Sequence, residues 1–246
     1  MKLILPENRK PNTMKFQIDP IGIFRCEEFF RYETPRQGAF AQNCGVIELE
    51  PGHGYEEAAA DLKGFDRIWV LFLFHLNQSW NVKVTPPVAP PGRKIGVFAT
   101  RSPHRPNRIG MSCVELDKIE GNKIFIRNFD LLDRTPIIDI KPYIPAADAF
   151  PASCTGWLEE AEKSHYTVKF TQQALEKCAL ILAAGGQDLQ KFCQVQLSYS
   201  PLDAARKRLT RLAENRWRIN FRNNTADFEI DLPNRQVTVY DVCKAE

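Results

Sequence analysis

Between Ile18 and Phe129 the chain is a succession of short apolar runs broken by loops rich in Gly, Pro and Asn. Ile18 to Cys26, Gly45 to Leu49, Arg67 to His75, Ile95 to Ala99, Met111 to Ile119 and Lys123 to Phe129 each read as a β-strand. The run from Arg67 to His75 is apolar nearly throughout, which predicts burial on both faces. Glu120-Gly121-Asn122 joins the last two runs as a hairpin turn. The helix of this stretch is short, Tyr55 to Leu62, with glutamates early, alanines in the middle and Gly64 at its end. Many strands with a minor helix predict a closed or strongly curved sheet and a mainly β fold class. The common nucleotide-binding alternatives lack support: the glycines form no strand–Gly-x-Gly-x-x-Gly–helix fingerprint and no Walker-type phosphate loop. A Gly-x-Ser-x-Gly nucleophile elbow is missing as well.

The composition changes after about Pro151, which divides the chain into a β-rich domain over residues 16–150 and a smaller α+β domain over 151–246. In the second, Tyr166 to Phe170 reads as a strand and Thr171 to Ala184 as a helix, with Thr171 as N-cap and Gly185-Gly186 as its stop. Further helices are expected over Gln187 to Leu197 and, strongly basic, over Asp203 to Asn215. A meander of strands follows: Arg216 to Arg222, Ala226 to Leu232 and Gln236 to Val242. Residues 1–15 read as a loose arm, and Met14 is an alternative start.

The seven Cys are scattered, odd in number and without a C-x-x-C pair, which reads as a reduced, cytoplasmic protein rather than a disulfide or zinc framework. Only four His are present and none are at metal-ligand spacing, so no metal is expected. The apolar runs fall short of a membrane span. The net charge of +3 is mild, but its distribution is not even. From Arg67 through Val114 there is no Asp or Glu and there are seven Lys or Arg, a local bias that points to an anionic partner.

That window contains Gly96-Val-Phe-Ala-Thr-Arg-Ser-Pro-His-Arg-Pro-Asn-Arg-Ile-Gly-Met-Ser112. Arg101, Arg105 and Arg108 sit on a loop stiffened by Pro103 and Pro106, with φ fixed near −65° at each proline. Planar guanidinium groups on a stiff loop suit carboxylates and phosphates. Three other segments carry candidate chemistry. Pro35-Arg36-Gln37-Gly38 is a loop with Arg and Gln donors beside a Gly that permits close approach. His75 and Leu76 end the apolar strand, where a binding loop begins. Asp130-Leu-Leu-Asp-Arg-Thr-Pro-Ile-Ile-Asp-Ile-Lys-Pro-Tyr143 brings three carboxylates near an apolar strand. Two of them are candidates for acid–base work, and Tyr143 is either a stacking platform or core. Taken singly, each segment is an ordinary turn or surface loop.

Taken together, Pro35-Arg36-Gln37, Phe65 to His75, Gly96 to Ser112 and Leu132 to Tyr143 resemble the TrmO (YaeB-like) family in order and spacing, over about residues 16–150. The resemblance implies a β-barrel methyltransferase domain, a homodimer and S-adenosylmethionine as methyl donor. It implies methylation of N6 of a threonylcarbamoyladenosine beside the anticodon of a threonine tRNA. By matching motifs it places the cofactor on Pro35, Arg36, Gln37, His75, Leu76, Arg101, Met111, Asp130, Leu131, Leu132, Asp133 and Thr135. Arg36 or Arg101 suits its carboxylate, and Asp130 or Asp133 its ribose or the positive charge developed during transfer. His104, Arg105, Arg108 and Lys141 are then candidates for the RNA backbone or the threonyl carboxylate. Asn107, Tyr143 and Asp133 are candidates at the reacting base.

Two departures from the family pattern add positive charge. Arg-Pro-Asn-Pro-Ile-Gly reads with Arg108 at the second Pro, and Asp-Gly-Thr-Pro reads with Arg134 at the Gly. Losing that Gly predicts a changed turn. Ser200-Pro201-Leu202-Asp203 stands where many members carry Asp-Pro-Arg-Pro. The competing readings are a non-catalytic RNA-binding barrel and the same methyltransferase domain acting on another RNA or a small molecule.

Overall fold

A computed structural model describes residues 17–29, 43–89, 92–162, 165–204 and 207–244. Pro35, Arg36, Gln37 and the N-terminal arm therefore lie outside the described residues. The first unit contains β1 (Gly22–Arg25), β2 (Cys44–Leu49), α1 (Tyr55–Ala60), β3 (Arg67–Leu73), β4 (Lys83–Val84), β5 (Ile95–Gly96), β6 (Ile109–Glu120), β7 (Lys123–Arg127) and β8 (Pro136–Pro142). Six of these strands close into a barrel in the order β1-β2-β7-β6-β3-β8.

Alternation along each strand decides what fills it. Phe24, Ile47, Ile68, Val70, Phe72, Val114, Ile124, Ile126 and Ile137 point inward and are buried. Each such side chain contributes roughly 1.5–3 kcal/mol on leaving water. Three buried strand positions leave no room for a side chain without a shift: a Cβ on Gly22 would sit 2.4 Å from Glu48 O. A Cβ on Gly45 would sit 2.3 Å from the Phe24 ring, and one on Gly110 would sit 2.4 Å from the Phe72 ring. Opposite Leu71 and Phe72 the register skips Ile138, and between Leu116 and Lys118 it skips Asp117, so bulges bend β8 and β6 and help the sheet to close.

Two sequence expectations change here. The apolar run of β3 is not buried on both faces: Ile68, Val70 and Phe72 are, whereas Arg67, Trp69, Leu71 and Leu73 are only half-covered on the outer wall. Ile95 to Ala99 is not one barrel strand. Ile95–Gly96 pairs with β4 in a separate two-stranded ribbon, and Val97–Ala99 form a single 3-10 turn.

Short helices α2 (Pro145–Asp148) and α3 (Leu158–Glu162) lead to the second unit. Its sheet has the order β10-β11-β12-β13-β9, built from β9 (Thr167–Phe170), β10 (Leu209–Arg211), β11 (Arg216–Phe221), β12 (Asn224–Asp231) and β13 (Gln236–Lys244). α4 (Gln172–Ala183) and α5 (Leu189–Leu197) share one core with this sheet. Thr171 caps α4 through its Oγ1, 3.2 Å from Ala174 N, and Asp188 caps α5 at 2.9 Å from Lys191 N. The basic helix expected over Asp203 to Asn215 is not found among the described residues of that stretch. Leu209 pairs with Ile219 and packs on the core, so Leu209–Arg211 form an edge strand instead.

The units touch through specific bonds. Ser200 Oγ donates to Pro87 O (3.2 Å), Trp157 Nε1 to Ala99 O (2.8 Å) and Arg222 Nη2 to Glu27 O (2.8 Å).

Candidate active site

Antiparallel register determines which loops meet. Leu73 at the end of β3 pairs with Ile109 at the start of β6, and Phe72 pairs with Ile137 near the start of β8. His75 and Leu76, the loop Arg101 to Arg108 and the loop Asp130 to Thr135 therefore surround one mouth of the barrel. Lys141 and Tyr143 do not join them. Lys141 pairs with Trp69, and Tyr143 N donates to Arg67 O (3.1 Å) at the opposite end. At the usual strand rise Tyr143, opposite Arg67, lies about 20 Å along β3 from the mouth, and Lys141, opposite Trp69, about 13 Å.

The acidic loop is held on the first strand. Arg134 N donates to Phe24 O (2.8 Å), and Phe24 N donates to Thr135 O (2.9 Å). Cys26 N donates to Asp133 Oδ1 (3.2 Å), while Asp133 N donates to Glu28 O (2.9 Å). Leu131 and Thr135 are buried, so Leu131 anchors the loop in the barrel core. Asp130 is the most perturbed carboxyl of the mouth. It is half-buried and accepts a 2.5 Å bond from Ser112 Oγ, which reaches it from inside β6. Burial pushes its pKa up, against the Ser112 bond and the nearby Arg101 charge. Met111, one residue earlier, is on the outer wall and 53% exposed.

The basic loop is braced by its own side chains. Arg105 Nη1 donates to Thr100 O (2.6 Å) and Val97 O (3.2 Å), and its guanidinium lies 6.0 Å from the Phe98 ring centre. Arg108 Nη1 donates to Asn77 O (2.7 Å), and the buried Asn77 reaches His104 Nδ1 at 3.4 Å. The loop after β3 and the loop before β6 are thus stitched together, with Asn107 exposed beside them.

A mainly β barrel with this mouth can be compared with known proteins. Residues 25–149 match the tRNA-methyltransferase O N-terminal domain. The tRNA (adenine(37)-N6)-methyltransferase of Escherichia coli (strain K12) is 34% identical over 199 residues, covering 78% of this chain and 84% of that protein. This chain belongs to the TrmO family. The mouse protein of the same name is 39% identical over 137 residues, 53% of this chain but 31% of its own length. The crystal structure of TrmO from Pseudomonas aeruginosa superposes with a TM-score of 0.62 at 28% identity, covering 94% of this chain and all of that one.

Against the TrmO pattern, the two charged departures behave differently. Arg134 has φ of 62°, so the turn places a residue in the left-handed region, which Gly occupies with less strain. Holding an L-residue there costs roughly 1–2 kcal/mol. Arg108 has φ of 53°, a value closed to the proline of the family pattern, so this loop takes its own path.

Ser112, Glu28 and Asn43 escaped sequence reasoning. Ser112 carried a signal, a lone hydroxyl at an inward position of an apolar strand. Asn43 Nδ2 donates to Glu28 Oε1 (3.2 Å) and to Phe129 O (3.2 Å), which only the fold brings together. Among the described residues Glu28 Oε2 is a buried oxygen without a hydrogen-bond partner, directly beside the Asp133 loop. A separate cavity of about 480 Å³ lies between the proline loop at Pro86-Pro87 and the second unit at Tyr166, Tyr199 and Pro201, away from these residues. No group of three His, Cys, Asp or Glu that could hold a metal occurs among the described residues.

Proposed function

We propose that this protein is an S-adenosylmethionine-dependent tRNA methyltransferase acting on N6 of threonylcarbamoyladenosine next to the anticodon of a threonine tRNA. The observation that carries this reading is the convergence of the acidic and basic loops on one mouth, in a chain 34% identical to a tRNA (adenine(37)-N6)-methyltransferase. The acceptor set fits the methyl donor. Asp130, Asp133 and the unpartnered Glu28 oxygen offer carboxylates to a cationic sulfonium and a ribose. Arg101 and His75 flank the same mouth and suit the donor's carboxylate. When bound, the donor supplies an electrophilic methyl group.

The chain's part is mainly positioning, which can account for much of such a rate enhancement. Asp130 and Asp133 are held from opposite sides, by Ser112 and by Cys26 N, so their oxygens are oriented before substrate arrives. Asp133 is the candidate to receive the proton from the methylated nitrogen. His104, Arg108 and the exposed Asn107 meet the RNA, and Arg105 keeps their loop rigid.

Two copies form the proposed working unit. The outer wall of β3 and β6 presents Trp69, Leu71, Ile109 and Met111, a strip that a second copy would cover. Lys141 and Tyr143, distant from the mouth of their own chain, are then available to the mouth of the other. Light scattering should give twice 28.2 kDa, and a monomeric mass would remove Tyr143 and Lys141 from the account. The working compartment proposed is the cytoplasm, and no described helix is long and apolar enough to cross a membrane.

The decisive assay uses methyl-labelled S-adenosylmethionine and threonine tRNA with or without the threonylcarbamoyl group. Label is expected only in the modified RNA, with RNA affinity falling steeply as salt rises. Labelling of neither RNA, with donor binding intact, would move the substrate elsewhere. A flat salt response would favour a small molecule.

A further inference from the structure

We propose that Arg222, in the C-terminal unit, is a positioning residue for the methyl-donor loop of the barrel. The inference rests on reading Asp130 to Thr135 as that loop. Arg222 occupies the turn between β11 and β12 with φ of 51°, where glycine or asparagine would sit with less strain. Strain retained at such a position calls for a compensating contact. That contact is the 2.8 Å bond from Arg222 Nη2 to Glu27 O in the barrel unit.

Glu27 is the middle of three consecutive residues that hold the acidic loop. Its neighbours are Cys26, whose N–H donates to Asp133 Oδ1, and Glu28, whose carbonyl accepts from Asp133 N. Cys26 Sγ also lies 3.9 Å from Leu131 O. β1 ends at Arg25, so no strand ladder continues through this segment. Arg222 holds it from the outer side while Asp133 is held on the inner side.

The anchor is stiff at its own end. Phe221 stacks on Phe192 with ring centres 4.1 Å apart, and buried Asn224 donates to Gln187 Oε1 (2.8 Å). The turn is therefore rooted on both sides in the core of the C-terminal unit. That unit thereby completes the mount of Asp133.

The test uses the full chain with Arg222→Gly, which removes the guanidinium and relieves the left-handed strain, and Arg222→Lys, which keeps one donor. Hydrogen exchange would be followed in peptides covering residues 24–29 and 130–135, and S-adenosylmethionine affinity by calorimetry. Arg222→Gly is expected to speed exchange in those two peptides and not in the rest of the barrel. It should weaken donor binding about three- to tenfold, with the melting temperature little changed. Arg222→Lys should recover part of both effects. Unchanged exchange, or donor affinity within twofold of wild type, would overturn the inference and leave Arg222 as a simple docking contact. A wild-type chain that binds no S-adenosylmethionine would instead overturn the functional reading, while the exchange data would still decide whether the tether exists.

Discussion

Asp130→Asn is expected to lower methyl transfer about 100-fold while making the folded protein more stable at neutral pH. The loss follows from removing a charged acceptor at the mouth, since hydrogen bonds to charged groups are worth about 1.5–3 kcal/mol and every 1.4 kcal/mol is tenfold in rate. The gain follows from burial. The folded chain holds the Asp130 proton more tightly than the unfolded chain, because enclosure raises the carboxyl above its ordinary value of 3.8. Below 3.8 both states are protonated and Asp130 costs nothing. As pH rises from there, the unfolded chain releases its proton first, so stability falls until the folded group has ionised too. Asparagine carries no such penalty and still offers an oxygen to Ser112 Oγ. Melting temperatures of the two proteins measured from acid to neutral pH should diverge as pH rises. Parallel curves would mean that Asp130 is not held at an electrostatic cost, and a fully active variant would remove it from the site. Stability given up for function is the pattern expected where a carboxylate is kept half-buried to meet a cation.

The barrel was legible because period-two alternation and turn residues are local signals. β2, β6 and β7 are each found within two residues of the runs that mark them. Where tertiary pairing outweighs local preference, the reading failed. Residues 203–215 are rich in good helix formers, but Leu209 contributes more by packing on the core than the segment gains from helix propensity. The loops of the mouth were legible as motifs, because arginines between prolines and aspartates beside a strand are unusual in themselves. Their grouping was not. That Tyr143 falls at the far end follows from the antiparallel run of β8 beside β3, which no motif contains. Glu28, Asn43 and Arg222 left no trace either, because each matters through a partner that only the fold brings beside it. Arg105 was visible but ambiguous: a guanidinium on a loop suits a phosphate and a carbonyl equally well.

That ambiguity has a direct test. Arg105→Ala is expected to reduce kcat/KM for tRNA roughly 10- to 100-fold, the range set by losing charge-assisted bonds. The Arg105 guanidinium spans Thr100 O and Val97 O and lies near Phe98, so it closes the loop on itself between the 3-10 turn and Pro106. Both bonds leave from the one nitrogen Nη1, and a lysine ammonium carries three donors, as Lys207 shows by bonding Tyr199 O and Ser200 O together, so Arg105→Lys should recover much of the loss. A brace and a phosphate contact predict different salt behaviour. An arginine that neutralises a phosphate contributes about one to the slope of log affinity against log salt, and its removal lowers the slope by that amount. An arginine engaged with carbonyls of its own loop contributes little to that slope. The variant should therefore lose activity with the salt slope of RNA binding unchanged, whereas Arg108→Ala should shift it if Arg108 meets the RNA. A slope reduced by about one in Arg105→Ala would mean that the guanidinium leaves Thr100 and Val97 when RNA arrives, and the basic loop would then be a surface that opens onto its substrate rather than a rigid one.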